Sequence, residues 1–206
     1  ADEKDGPRLP QVNEGEALSV FKIAPEQHFT EPPPRYSEAT LVKRMEELSI
    51  GRPSTYASVL SVLRERDYVV MDRNRFIPQD KGRLVTAFLE NFFDRYVEYD
   101  FTAALEADLD KVSDGSLSYK EVLARFWEDF HKTVDATMEI RNTQILDTMN
   151  EVMGAHIFKD TGNGNPRVCP KCNDGELSLK TGRFGAFVGC TRYPDCRFTR
   201  PFAGEQ

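Results

Sequence analysis

The sequence predicts a mainly α-helical fold of the α+β class, and three observations support this prediction. Two amphipathic helical patterns, joined by a polar turn, precede a short β-hairpin pattern in residues 35–78. Further helical patterns fill residues 82–153. Near the C-terminus, four cysteines stand in two pairs, which predicts a small zinc ribbon. We therefore expect a winged-helix-like helical domain with a β-hairpin, a C-terminal zinc ribbon and a strand remnant at the N-terminus.

Composition places the chain among soluble globular proteins. Its 206 residues are 39% hydrophobic and 30% charged, with a mean hydropathy of -0.53, which suits one or two ordinary cores. No apolar run approaches the roughly 18 residues of a membrane span, and no secretory leader opens the chain. We expect a cytoplasmic protein that contacts no membrane. The start at Ala1, in an acidic run without a methionine, suggests a fragment or a processed product.

The formal net charge of -7 is unevenly distributed. Residues 35–83 and residues 167–206 each carry three more basic than acidic side chains, whereas residues 84–151 carry nine more acidic than basic ones. Because salt screens charges beyond about 8 Å, a local basic excess can follow a phosphate backbone although the whole chain is acidic. Ordinary solvated surface is the alternative explanation.

The N-terminal residues are predicted to hold strands without partners. Residues 8–24 alternate apolar and polar side chains around a turn at Gly15, which is typical of β-strands. Nothing before them in the sequence could pair with them, and such orphan strands are what a truncated domain would leave. The three prolines at 32–34 then predict a stiff, extended connector.

Residues 37–67 carry the start and stop signals of two helices. Ser37 is a suitable N-cap for the first helix, and Gly51 stands where the exit of that helix needs a left-handed residue. Pro53 suits the first turn of the second helix, and Asp67 tolerates the positive φ expected at its exit. A hairpin pattern with a polar turn at residues 72–74 follows. The order predicts a winged-helix-like module, although a small α+β core unit without a ligand fits the same pattern.

Residues 82–153 are predicted to form a helical scaffold. Apolar residues recur at helical spacing, and Ser118 with Glu121 is a capping-box signature. The only tryptophan, Trp127, is assigned to the aromatic core side of this block. Base stacking by these aromatics is the alternative, but the acidic surroundings repel phosphate. The Gly- and Asn-rich residues 161–166 predict a linker.

The cysteines form the strongest single motif. Two residues separate Cys169 from Cys172, five separate Cys190 from Cys196, and seventeen lie between the pairs. Four thiolates about 2.3 Å from one ion satisfy the tetrahedral preference of zinc. Two disulfides are the alternative, which the expected cytoplasmic location disfavours. Because four thiolates leave no position for water, we expect this zinc ion to be structural.

Cations alternate with aromatic residues in the predicted ribbon. Strands are expected at residues 177–180 and 184–188, on either side of a turn at Gly182. Single-stranded nucleic acid needs charge for its phosphates and aromatic faces for its bases. We therefore nominate Arg183, Phe187 and Tyr193 as binding residues. A ribbon too small to bury its aromatics, with arginines for solubility, is the alternative.

Several of these stretches resemble one protein family. Residues 27–69, QHFTEPPPRYSEATLVKRMEELSIGRPSTYASVLSVLRERDYV, closely resemble the bacterial type IA DNA topoisomerases. So do the tripeptides at residues 8–10 and 14–16 and the YDFTA string at residues 99–103. The ribbon with GRFGAFVGC is similar to the first cysteine module of those enzymes. The resemblance implies four parts: residues 1–31 as a strand remnant of the arch domain, 32–153 as the helical domain of the single-strand groove, 154–166 as a linker and 167–206 as the zinc ribbon.

The resemblance also implies an activity and its limits. Members of the family are isomerases that relax DNA without ATP. They cut one strand through a phosphotyrosine link, pass a strand through the break and reseal the cut strand. An acidic domain of these enzymes holds magnesium. No Arg-Thr-Asp-Ser string, which follows the family's nucleophilic tyrosine, occurs in this sequence, and Tyr36 and Tyr56 stand in other contexts. Asp108-Leu109-Asp110 is predicted to be exposed helix surface. We therefore expect no catalytic residue here, and magnesium only in the intact enzyme.

The joint between the two helices is the second candidate DNA-binding site. Arg52, with the hydroxyls of Ser54 and Thr55 and the N–H groups of a helix start, forms a candidate phosphate cradle; helix capping by the same residues is the alternative. We add two further DNA-binding candidates, Arg35 and Arg66, the latter supported by the resemblance. Ser49 and Asp67 stand where the family commonly has glycine, which puts the backbone of both joints in question.

Two hypotheses follow for the whole chain. In the first, it is part of a topoisomerase, acts as a monomer and has single-stranded DNA and the rest of the topoisomerase chain as partners. In the second, it is a stand-alone winged-helix and zinc-ribbon nucleic-acid-binding protein without enzymatic activity. An upstream reading frame that encodes the tyrosine string and the acidic metal motif would favour the first, whereas a start codon just before Ala1 would favour the second.

Overall fold

The computed structural model describes residues 11–159, 162 and 164–202. The chain divides into an N-terminal unit that ends at Pro34 and a second unit that begins at Arg35. In the N-terminal unit, the predicted turn at Gly15 forms, and the N–H of Glu16 donates to the Asn13 carbonyl at 3.2 Å. Residues 11–34 contain no helix or strand.

The strands predicted in the N-terminal unit are therefore not formed over residues 11–24, and residues 8–10 lie outside the described part. A strand is stabilised by hydrogen bonds to a neighbouring strand, and residues 11–34 provide none. The apolar side chains that produced the alternating pattern, among them Leu18, Val20, Phe21 and Ile23, are exposed. An alternating sequence alone is not sufficient to form a sheet.

Within the described residues, the second unit contains eight helices, a two-stranded sheet and a three-stranded sheet. This confirms the mainly α-helical fold class with small sheets. No helix among these residues combines the length and apolar character that crossing a membrane requires. The elements in chain order are α1 (Glu38–Glu47), α2 (Pro53–Glu65), β1 (Val69–Asp72), β2 (Arg75–Pro78), α3 (Asp80–Phe92), α4 (Asp94–Val97), α5 (Tyr99–Ser113), α6 (Tyr119–Glu139), α7 (Asn142–Val152), α8 (Gly154–Ile157), β3 (Leu177–Gly182), β4 (Gly185–Cys190) and β5 (Thr199–Pro201).

Helices α1 and α2 end in the same way. Each is followed by a left-handed residue, Ser49 after α1 and Asp67 after α2, both with φ of 55°. After α1, the N–H of Ile50 donates to the Met45 carbonyl at 2.9 Å, and an equivalent bond closes α2, so both exits are Schellman motifs. Gly51, with φ of 75°, then turns the chain into α2. The predicted helix-turn-helix is formed, but the left-handed residue that closes α1 is Ser49 and not Gly51, where the sequence predicted it.

The predicted hairpin follows directly. β1 and β2 pair antiparallel, and the two turn residues, Arg73 and Asn74, both have positive φ, of 44° and 61°. This is the mirror-image turn that matches the twist of a tight hairpin. The N–H of Phe76 in β2 donates to the Tyr36 carbonyl at 2.8 Å. The chain before α1 therefore runs beside the hairpin and completes the winged-helix-like module.

An aromatic cluster joins α4, α5 and α6. Rings of Phe93, Tyr96, Phe101, Phe126 and Phe130 lie with centroids between 5.1 and 6.5 Å apart. Within the predicted helical scaffold, α3 and α4 are separate helices, because Phe93 leaves the helical conformation with φ of -141°. The aromatic side of the scaffold is otherwise as predicted.

Trp127 does not belong to that cluster core. It is 58% exposed and contacts Phe130 and His131 on the outer side of α6. A helix turns about 100° per residue, so Phe126 and Phe130, four residues apart, face inward while Trp127 points away. The assignment of Trp127 to the core side was wrong.

The ribbon and the helical block share one hydrophobic core. Ala87 of α3, Met149 of α7 and the following Met153 pack against Leu179 of β3 and Phe202. The segment expected to be a linker also begins with ordered structure, since residues 154–157 form α8. Phe158 after α8 is buried in the ribbon's own core. Packing of Met153 and Phe158, on either side of α8, attaches the ribbon to the helices.

Asn150 of α7 fastens the outer edge of β3. Its Oδ1 accepts a hydrogen bond from the N–H of Leu179 at 2.7 Å, and its Nδ2 donates to the Leu179 carbonyl at 3.4 Å and to the Leu146 carbonyl at 2.8 Å. The guanidinium of Arg167 donates to the Asn150 carbonyl at 2.9 Å. The buried amide of Asn150 thus takes the place of a neighbouring strand beside Leu179.

Candidate metal centre and nucleic-acid interface

The ribbon brings its four cysteines to one point. Cys169 and Cys172 lie in turns before β3, Cys190 ends β4 and Cys196 precedes β5. Their sulfurs all lie within 4.8 Å of one another, and none is in a disulfide. The Sγ atoms of Cys169 and Cys196 are 3.7 Å apart, as are those of Cys172 and Cys190. Sulfurs about 2.3 Å from a tetrahedral zinc ion lie about 3.8 Å apart, so the cluster has the size of a zinc site.

Backbone N–H groups support two of the sulfurs. Gly175 donates to Cys172 Sγ at 3.3 Å and Arg192 donates to Cys190 Sγ at 3.4 Å. The Gly175 N–H lowers the pKa of Cys172. The Arg192 N–H lowers the pKa of Cys190, but burial and the neighbouring thiols outweigh it and raise that pKa to about 12. Clustered thiols of this kind become thiolates together only around a cation, and zinc fits both their number and their spacing.

Glycine is required beside the metal centre. A Cβ atom at Gly175 would lie 2.5 Å from Cys190 Sγ, which is far closer than a carbon and a sulfur can approach. The same residue donates its N–H to Cys172, so its backbone has to run directly along the sulfur cluster. Gly175 therefore belongs to the metal centre, although the sequence interpretation did not nominate it.

A cleft of about 410 Å³ opens on the ribbon beside the metal centre. Two of the three nominated ribbon residues, Phe187 and Tyr193, line it, together with the aromatic ring of Phe198. Lys180 and Arg197 supply positive charge at the same cleft. It therefore combines aromatic faces with cations, the two features that unpaired nucleotides require.

Arg183 lies apart from the residues that line this cleft. It stands in the turn between β3 and β4, with its guanidinium 5.7 Å from the ring centre of Phe184. Phe184 is 98% exposed. The three nominated ribbon residues are thus distributed between the cleft and the hairpin tip.

At the joint between α1 and α2, Thr55 caps the helix. Its hydroxyl donates to the Arg52 carbonyl at 2.9 Å and accepts from the Arg52 N–H at 3.0 Å. The capping alternative considered from the sequence is thus realised for Thr55. Ser54 is exposed, and within the described chain its hydroxyl has no hydrogen-bond partner.

The side chain of Arg52 turns toward α5. Its Nε lies 3.4 Å from Glu106 Oε2, and its NH2 donates to Asp110 Oδ2 at 2.8 Å and to the Glu106 carbonyl at 3.1 Å. The remaining terminal nitrogen donates to the Gly51 carbonyl at 3.3 Å. The hydrogen bond to Asp110 raises the pKa of Arg52. Arg52 is held at the joint by acidic side chains of a separate helix.

The other two nominated arginines are unpaired at the surface. Arg35 and Arg66 are both exposed, and neither guanidinium has an ion-pair or hydrogen-bond partner among the residues that the structure describes. Arg66 follows the last residue of α2, while the backbone carbonyl of Arg35 accepts from the Arg75 guanidinium at 2.6 Å. Both side chains remain accessible to a ligand.

Sequence reasoning missed two parts of these sites. Lys180 stands opposite Phe187 in the pairing of β3 with β4, and the alternation of side chains along a strand could have placed both on one face. Glu106 and Asp110 lie four residues apart, a spacing that puts two carboxylates on one side of a helix. That spacing indicates that a basic side chain could pair with both carboxylates, but it does not identify Arg52 as that side chain.

Comparison with known proteins gives consistent matches. Residues 1–124 match the family model described as DNA topoisomerase, and residues 166–204 match the one described as topoisomerase DNA binding C4 zinc finger. DNA topoisomerase 1 of Zymomonas mobilis is 51% identical over 98% of this chain and 17% of the relative. DNA topoisomerase 1 of Rickettsia conorii is 50% identical over 96% of this chain and 25% of the relative.

A solved structure agrees with the sequence matches. Full-length topoisomerase I from Thermotoga maritima superposes with a TM-score of 0.58 at 32% identity, covering 83% of this chain and 25% of that one. The chain thus spans between about a sixth and a quarter of the length of the relatives it matches.

Proposed function

This chain belongs to the bacterial DNA topoisomerase I family, and we propose that it forms the part of such an enzyme that holds one unpaired DNA strand. The zinc ribbon and the joint between α1 and α2 are the two proposed contact sites. In this proposal the chain is monomeric and its partners are single-stranded DNA and the rest of a longer topoisomerase chain.

The ribbon cleft is the observation that carries the proposal. Phe187, Tyr193 and Phe198 offer ring faces, and Lys180 and Arg197 offer charge, within one cleft of about 410 Å³. Bases in a duplex are already stacked on one another, so ring faces of this kind can act only on unpaired bases. The acidic helical block carries an excess of nine negative charges, which disfavours phosphate and leaves the ribbon and the joint as the binding surfaces.

At the joint, Arg52 and Ser54 are the proposed phosphate contacts. Thr55 acts there by fixing the first turn of α2, since its hydroxyl caps the helix. The unpaired guanidinium groups of Arg35 and Arg66 extend the proposed contact surface, and Arg183 extends it at the tip of the ribbon hairpin. Phosphate contacts of this kind position a strand without reading its sequence.

Strand breakage and rejoining are proposed to depend on residues outside this sequence. The nucleophilic tyrosine string expected from the resemblance does not occur in it. In the same proposal, magnesium belongs to another part of the longer enzyme. The four cysteines close their shell around zinc, so that this metal stabilises the ribbon and takes no part in strand cleavage.

Titration of the full chain with a labelled oligothymidylate over a salt series tests the binding proposal. We expect the logarithm of the affinity to fall linearly with the logarithm of the salt concentration, with a slope of about -0.7 for each phosphate contact. Tyr193→Ala should weaken binding by about 1–3 kcal/mol through loss of a stacked base. Trp127→Ala, which removes an exposed ring from the acidic block, is the matched control. Equal affinities for wild type and Tyr193→Ala would contradict a role of the cleft.

A plasmid relaxation assay in the presence of magnesium tests the proposal that strand cleavage depends on residues outside this sequence. The purified chain should bind DNA but neither nick nor relax it. Relaxation that copurifies with the chain and persists after repeated purification would contradict the proposal that cleavage requires residues outside this sequence.

A further inference from the structure

We infer that Asp110 is an internal competitor of DNA phosphate at Arg52, a contact that lowers the affinity of the joint for single-stranded DNA until the strand displaces it. This inference rests on the proposed function of the joint as a phosphate site. It assigns a role to a carboxylate that lies 58 residues away from Arg52 in the sequence.

The guanidinium of Arg52 is already engaged by the protein. All three nitrogens of its guanidinium already have acceptors: Nε faces the Glu106 carboxylate, one terminal nitrogen donates to Asp110 and to the Glu106 carbonyl, and the other donates to the Gly51 carbonyl. A guanidinium binds phosphate through paired N–H groups in its plane. A guanidinium carries five N–H groups, and these contacts engage four of them, so a phosphate bound through two N–H groups has to replace at least one acceptor that the protein now provides.

Asp110 is the acceptor that a phosphate can displace. The Glu106 side chain is 19% exposed, whereas the Asp110 side chain is 72% exposed. An exposed ion pair contributes only about 0–1 kcal/mol, because both charges remain hydrated. Asp110 can consequently rotate into solvent at small cost, while Glu106 keeps Nε in place on the protected side. The guanidinium then remains oriented and presents one free N–H group, on the terminal nitrogen that still donates to the Glu106 carbonyl.

The backbone at the joint is held in place by the start of α2. Arg52 is the N-cap of α2, its N–H is bound to Thr55 Oγ1, and its carbonyl accepts from the N–H of Thr55 at 2.8 Å. The main chain of Arg52 is therefore fixed by the start of the helix. Exchange of Asp110 for phosphate requires only the movement of a carboxylate, with no rearrangement of the fold.

A double-mutant cycle with the labelled oligothymidylate tests the inference. Asp110→Asn should tighten binding by about two- to fivefold at low salt, which is the range set by the strength of an exposed ion pair. In an Arg52→Ala background the same change should have no effect. Asp147→Asn removes one negative charge from an exposed position of α7 that has no salt bridge among the described residues, and it should leave the affinity within about 1.5-fold of wild type.

The outcomes separate the inference from the proposed function. If Arg52→Ala binds as tightly as wild type, the joint is not a phosphate site, and the inference fails together with the joint's part in the proposed function; the ribbon cleft is tested separately by Tyr193→Ala. If Arg52→Ala weakens binding but Asp110→Asn does not tighten it, only the competitor role is overturned. Equal tightening by Asp110→Asn with and without Arg52 would also overturn it, since the effect would then be general electrostatics. Unchanged helicity and melting temperature of Asp110→Asn show that the effect is not structural.

Discussion

Ser49 occupies a backbone conformation that glycine adopts more easily. It has φ of 55° and closes α1, and its N–H donates to the Glu46 carbonyl at 3.0 Å. A side chain in the left-handed region clashes with the backbone, whereas glycine has no Cβ to do so. The family resemblance places glycine here as well, so this serine retains the geometry of the joint at some cost in stability.

Ser49→Gly should therefore stabilise the chain by about 0.5–1 kcal/mol, because relief of the left-handed strain exceeds the entropy that glycine loses on folding. Urea unfolding followed by circular dichroism measures the change. Ser58→Gly, at an exposed position inside α2, should instead destabilise by a similar amount. A destabilising Ser49→Gly would mean that the serine side chain has a role that its geometry does not reveal.

Asp108 shows how one residue joins two helices. Its carboxylate accepts from Lys111 on α5 at 2.9 Å and pairs with Arg125 on α6. The hydrogen bond from Lys111, together with the charge of Arg125, lowers the pKa of Asp108 below its usual value. A carboxyl with a lowered folded-state pKa stabilises the fold above its unfolded pKa of about 4, and this contribution is lost as the pH falls through the folded value.

Asp108→Asn should accordingly reduce stability at pH 7, and the difference from wild type should shrink as the pH falls below about 4. Thermal melts between neutral and acidic pH measure this. Asp147→Asn, which removes an exposed carboxylate that has no salt bridge among the described residues, is the matched control. A difference between wild type and Asp108→Asn that is constant across the whole pH range would show that packing, and not charge, accounts for the effect.

At the scale of elements, the contact between α7 and β3 determines how the ribbon is attached. Asn150 is buried and bonds both backbone groups of Leu179. If its amide is removed, the N–H and carbonyl of Leu179 are left buried without these partners, which costs more than the loss of an exposed hydrogen bond. The attachment therefore depends on polar contacts as well as on the shared apolar core.

Asn150→Ala should destabilise the chain by about 1–3 kcal/mol. Hydrogen exchange should show faster exchange at β3, where the Leu179 N–H loses its acceptor. Asn91→Ala is the matched control, since Asn91 is exposed and its side chain, within the described part of the chain, bonds only the Ala87 carbonyl of its own helix. If both variants lose the same stability, the hydrogen bonds between Asn150 and Leu179 contribute no more to stability than a hydrogen bond within one helix.

Local signals in the sequence predicted most helices and strands, but they did not predict the contacts between these elements. The exit of α2 at Asp67, the hairpin turn and the cysteine cluster follow from residue types at short spacings, whereas the exit of α1 was predicted at Gly51 and lies at Ser49. The attachment of β3 by Asn150 joins residues 29 positions apart, and an asparagine within a helical pattern has no feature that indicates it. The pairing of Arg52 with α5 likewise depends on tertiary packing, which periodicity does not reveal.

At the scale of the whole molecule, the metal centre and the helical block are connected through shared packing. The core of the ribbon contains Cys169, Cys190 and Cys196, and the neighbouring cluster contains residues of α3, β3 and the region around α7. Loss of the metal would leave clustered thiols that cannot all ionise. The damage should therefore extend from the ribbon into the core that it shares with the helices.

The chain as purified should contain one zinc ion with all four thiols reduced, as measured by elemental analysis and thiol titration. Removal of zinc should lower the melting temperature by about 5–10 °C, which corresponds to a loss of a few kcal/mol in a chain of this size. Cys172→Ser should resemble the zinc-free protein even when zinc is added. A melting temperature that does not change on complete removal of zinc would contradict a structural metal.

The outer edge of β3 also has a consequence for how the protein behaves at high concentration. An uncovered edge strand offers unpaired N–H and carbonyl groups to other chains and promotes aggregation. Here the Leu177 N–H donates to the Arg167 carbonyl at 2.6 Å, Leu179 is bound by Asn150, and the opposite edge is the short β5, which ends at Pro201. Neither edge of the ribbon sheet presents a long template for another strand. A ribbon detached from α7 would expose one, so that loss of the attachment should appear first as self-association of the protein.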